Sequence, residues 1–130
     1  MAKDIISVYL PDVEATQSVA FTTVEPFAVN PENGITIEKA TENKNNSLSI
    51  LVENARTEPS KVTFIAGDTY PNAMLGDLEV PLQASSTTVC QLQDISRFEN
   101  RDGSIALEFP TEFSGNVLAV AKRAGIIPVA

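Results

Sequence analysis

Apolar residues in this chain recur at every second position, in short runs broken by turn residues, and almost nowhere at the spacing of a helix. Leu48, Ile50 and Val52 share one parity, while Ser47, Ser49, Leu51 and Glu53 share the other. Successive side chains of a strand point to opposite faces, so such a run buries one face and turns the other mainly to water. Ile35 and Ile37 repeat the pattern, as do Val62 and Phe64, then Leu78, Val80 and Leu82, and finally Ile105, Leu107 and Phe109. Further strands are expected at 5–10, at 19–24, whose β-branched and aromatic residues suit a pleated surface, at 87–92 with Cys90 and Leu92 inward, and at 117–122. The total is about nine strands at intervals of roughly eight to fifteen residues. The fold class that follows is all-β, an antiparallel β-sandwich of immunoglobulin-like or jelly-roll-like kind.

The breaks between runs carry their own chemistry. Asn33-Gly34 and Asp102-Gly103 are turn dipeptides, because glycine takes positive φ without a clash and the preceding side chain bonds nearby amides. Pro26 and Pro31 each remove a ladder donor, making 25–34 an extended connection, and 41–46 reads as a solvated loop. Pro81 places its strand at a sheet edge or a bulge. The short link 83–86 predicts a hairpin-like pairing of the strands it joins, and Ser114, Gly115 and Asn116 predict a turn. Only 94–98 supports a helix, a single turn capped by Asp94.

At 130 residues the chain fits one domain with one core. Within it, residues 1–34 form an N-terminal strand and extended segment that packs on or reaches from the domain, and 35–130 form the sandwich. A hydrophobic share of 43% lies in the range of chains that fold. The formal charge of -8 repels a phosphate backbone, which argues against a nucleic-acid partner and reads as a solubility surface. One cysteine cannot form an intrachain disulfide. The N-terminal apolar run is too short for a signal segment, and nothing is long enough to cross a bilayer as a helix. Synthesis and folding in the cytoplasm are therefore expected, with no membrane partner.

Catalytic chemistry finds little support. The chain has no histidine, which removes the commonest general base and the commonest metal ligand together. Cys90 lies at an inward parity with no basic neighbour to activate it, so it reads as packing. Asp68 and Asp77 each follow glycine at the two ends of one loop and could converge as a carboxylate pair, but turn formation is the ordinary role of Gly-Asp. Calcium on Asp68, Asp77 or the Asp12 and Glu14 pair lacks a spaced ligand loop. Arg97 and Arg101 flank Phe98, and an ion pair from Arg97 would fix the surrounding segment. No enzyme, cofactor or metal is expected.

Residues 62–82 best mark the domain, a strand, a long loop bracketed by Gly67-Asp68 and Gly76-Asp77, and a second strand. The loop presents Tyr70, Met74 and Leu75 at one end of the molecule, and Phe21, Phe27 and Val29 stand in or beside the proline-bounded segment. These six are hard to fit into one small core, so they are the candidate partner contacts.

Five segments carry a family resemblance: Leu48-Ser-Ile-Leu-Val-Glu-Asn, Val62-Thr-Phe-Ile-Ala-Gly-Asp, Gly76-Asp-Leu-Glu-Val-Pro-Leu, Ser96-Arg-Phe-Glu-Asn-Arg-Asp-Gly-Ser-Ile and Asn116-Val-Leu-Ala-Val-Ala. The pattern resembles small proteins encoded beside the major capsid gene of tailed bacteriophages and prophages, the head or capsid decoration proteins. It spans 48–121, and residues 1–47 fit it only loosely. The resemblance implies a virion structural protein on the capsid exterior, bound to the major capsid protein, stabilising the shell, and assembled as a homo-oligomer, with a trimer as one option. The alternative class is a ligand-binding or carbohydrate-binding sandwich module of a phage tail or fibre, whose sites sit on loops. Aromatic platforms would be expected there, yet the chain has no Trp and only Tyr9 and Tyr70.

Overall fold

The structure is a computed structural model that describes residues 3–9, 23–40, 48–68, 76–92 and 97–121. The described residues form nine strands: β1 (Asp4–Ser7), β2 (Phe27–Ala28), β3 (Ile35–Glu38), β4 (Ser49–Asn54), β5 (Ser60–Phe64), β6 (Leu78–Leu82), β7 (Ser86–Gln91), β8 (Ile105–Glu108) and β9 (Gly115–Val120). They form a five-stranded sheet in the order β1-β3-β8-β5-β6 and a four-stranded sheet in the order β2-β9-β4-β7. The two sheets make a β-sandwich.

The alternation seen in the sequence decides which side chains lie between the sheets. Ile35, Ile37, Ile105, Leu107, Val62 and Phe64 of the larger sheet are buried against Ile50, Val52, Val117 and Ala119 of the smaller one. Each large apolar side chain fully buried in this way contributes roughly 1.5–3 kcal/mol. Phe98 closes one end of the core, with its ring centroid 5.4 Å from that of Phe64.

Several expectations are corrected. The strands joined by 83–86 do not form a hairpin: β6 pairs with β5 in one sheet and β7 with β4 in the other. The link crosses between sheets because Ser85 takes a positive φ of 51° and donates its backbone N–H to the Arg56 carbonyl at 2.8 Å, turning the chain out of the plane of β6. The sandwich is also not wholly antiparallel, since β1 runs parallel to β3. The segment 25–34 is not only a connection, because Phe27 and Ala28 pair with Val117 and Asn116 of β9. Gly115 and Asn116 are ladder residues of β9 rather than a turn. Of the strand expected at 19–24, residues 19–22 lie outside the described residues, and Thr23 and Val24 are not in a strand. The first strand begins earlier than expected, at Asp4. The solvated loop at 41–46 and positions 94–96 of the expected helical turn also lie outside the described residues. Pro81 does sit on an edge strand, β6, the place in a sheet where a residue without an N–H is best tolerated.

Candidate functional site

The two faces of the sandwich differ in chemistry. On the outer side of the five-stranded sheet stand Glu38, Lys61, Glu79 and Glu108, all exposed. Lys61 pairs with Glu79 at 2.7 Å and Lys3 with Glu108 at 3.1 Å, while Glu38 accepts a hydrogen bond from the Ser7 hydroxyl at 2.8 Å. Apart from Ile5, 63% exposed at an outward position of β1, this face is built for water.

The outer side of the four-stranded sheet is built otherwise. Inward positions of β4 are Ile50, Val52 and Asn54, so Ser49, Leu51 and Glu53 point out, and register carries the same parity to the neighbouring strands. Leu51 therefore lies directly between Val89 of β7 and Leu118 of β9. These three apolar side chains form a row across three adjacent strands, about 10 Å from end to end at the usual strand spacing. Val89 is 59% exposed, and Leu51 and Leu118 are half-buried. Val120 flanks the row from the next outward position of β9. Around it stand Ser49, Gln91, Thr87 and Asn116, all uncharged. Glu53 is the only charged residue in β2, β4, β7 and β9, and its carboxylate accepts a 2.6 Å hydrogen bond from the Asn116 amide.

Both open sides of the sandwich hold cavities. Between β6 and β7, a mostly apolar one of about 260 Å³ is lined by Phe64, Leu78, Val80, Cys90, Leu92 and Phe98, with Val89 on its lip. Between β1 and β2, a second of similar size is mixed, with Ile5, Phe27 and Val117 beside Ser7, Tyr9 and Glu25.

Of the expected contacts, Phe27 stands on β2 at the second cavity, 36% exposed, and Val29 is partly buried against the core. Phe21, Tyr70, Met74 and Leu75 lie outside the described residues. Leu51, Val89 and Leu118 were not expected. Their signal was an apolar residue at the polar parity in each of three strands, which gains meaning only once register aligns them.

Asp68 and Asp77, expected to bond amides within their own turns, hold backbone elsewhere in the chain instead. The Asp77 carboxylate accepts from the Ala66 backbone N–H at 2.7 Å, and that of Asp68 accepts from the Arg101 N–H at 2.9 Å. The Gly67 N–H donates to the Arg97 carbonyl at 3.0 Å, and the Arg97 guanidinium donates to the Gly76 carbonyl at 3.3 Å while lying over the Phe98 ring. Both ends of the long loop are thus stitched to the 97–103 turn. The Cys90 thiol is pushed above its ordinary pKa by burial, the opposite of nucleophile activation. Among the described residues no group of three or more acidic or cysteine side chains converges to hold a metal ion. Asp102 is held below the usual carboxylate range by hydrogen bonds from the Ser104 hydroxyl and N–H, which close its turn.

Comparison with protein-family models, with curated proteins and with solved structures gave no match.

Proposed function

We propose that this chain is a virion structural protein, a decoration protein that binds the major capsid protein on the outside of an assembled phage capsid and stabilises the shell. The observation that carries this reading is the division of the sandwich into a charged, ion-paired face and a face with a single charge, Glu53, crossed by Leu51, Val89 and Leu118. Contiguous apolar surface rimmed by uncharged polar groups suits protein contact, whereas the ionic face suits the exterior of a particle in water. The resemblance of segments 48–121 to proteins of this class supports the same assignment. A net charge of -8 fits a position outside the shell, away from the packaged nucleic acid.

The test is co-sedimentation of the full chain with mature phage capsids. Binding at micromolar concentration is expected, and its absence there overturns the reading. Binding should be lost in Leu118→Gln and retained in Lys61→Gln, which changes only the ionic face.

A further inference from the structure

We propose that two copies of this chain pair through β7, antiparallel and across a two-fold axis at Val89, joining their four-stranded sheets into one sheet of eight strands.

An edge strand displays unpaired backbone donors and acceptors, and proteins blunt such edges with charge, proline or brevity. Three of the four edges here are blunted. β6 carries Pro81 and Glu79, β2 is only two residues long, and β1 is four residues long and opens on the charged Asp4. β7, Ser-Thr-Thr-Val-Cys-Gln, has six residues with no charge, proline or glycine, and no described strand covers its outer edge. The electrostatics select the same strand. Two molecules of charge -8 repel unless they meet where neither presents an ion, and β7 is the long edge that satisfies this.

Geometry then fixes the register. The row of Leu118, Leu51 and Val89 runs perpendicular to the strands and stops at the β7 edge. Placing Val89 opposite Val89 of a second copy continues it as six apolar side chains over six of the eight strands. Thr87 then faces the second copy's Gln91, and Thr88 its Cys90, so no charge is buried. A copy of this chain meets the row with the same residues at the same level, which makes the edge self-complementary.

This pairing forms without a shell, so it is tested apart from the shell-binding reading. In sedimentation velocity from micromolar to submillimolar concentration, the full chain is expected as a dimer. Val89→Lys and Val89→Glu should each be monomeric with unchanged far-ultraviolet circular dichroism, and mixing the two should restore a heterodimer. If Val89→Lys does not fold, Val89→Cys in a Cys90→Ser background reads the same contact, with a disulfide-linked dimer expected on mild oxidation. A monomer at every concentration overturns the proposal. So does a trimer, which a two-fold edge cannot build, a Val89→Lys dimer as tight as the parent, or failure of the cysteine variant to cross-link.

Discussion

The amide of Asn54, on the last residue of β4, donates to the backbone carbonyl of Gln83 at 3.1 Å, in the link where the chain leaves one sheet for the other. The same amide nitrogen donates to the Glu58 carbonyl at 2.9 Å, and its oxygen accepts from the Arg56 N–H at 3.1 Å. Asn54 is fully buried, so one side chain holds the β4–β5 corner against the β6–β7 crossover. Asn54→Ala should cost about 2–3 kcal/mol in urea unfolding, because it removes three hydrogen bonds made by a fully buried side chain. Asn54→Asp should cost more, since it sets a carboxylate against both carbonyls.

Gly115 lies opposite Asn54, and a Cβ built on it would run into the Glu53 carbonyl and the Phe113 ring. The clash is with backbone, so no rotamer change relieves it. Gly115→Ala should destabilise by about 1–3 kcal/mol. In hydrogen exchange, the added opening should concentrate in the β4 and β9 amides.

Leu118→Gln and Leu51→Gln alter the apolar row and leave the inward core untouched. Each should lower stability by no more than about 1 kcal/mol, as these side chains are only half-buried. Loss of capsid binding with the melting transition largely kept is the expected signature of an interface residue.

Cys90 should react slowly with a thiol reagent in the native state and fast in urea, with the native rate rising at higher pH than for a free thiol. Its folded pKa is raised, so the native state holds this proton more tightly than the unfolded chain does. The stability this gives is fully present below the unfolded pKa and is lost as pH rises through the folded one. Cys90→Ser should therefore flatten the alkaline limb of the stability profile.

The alternation in β3, β4, β5, β6 and β8 was plain in the sequence, because burial of one sheet face imposes it directly on residue order. The edges were harder. β1 was expected at 5–10 and runs from Asp4 to Ser7, whereas β2 is two residues long and partnered only by distant β9, so its existence rests on contacts that local pattern does not encode. Cys90 illustrates the midpoint: parity put it inward, but its position on an edge strand leaves it only partly covered.

By itself the sequence determined an all-β domain without a histidine and the parity of its core, since side-chain alternation and composition are local properties. It also singled out Asp68 and Asp77 at the two ends of the long loop, although not the backbone N–H elsewhere in the chain that each holds. Only the tertiary structure decided which strands share a sheet, which edges stay open, and that Leu51, Val89 and Leu118 stand in one row. Residues 51, 89 and 118 are far apart in the chain, and the antiparallel ladders of β4 with β7 and β9 bring them together. Register is a long-range property, set by which faces the whole molecule can bury at once.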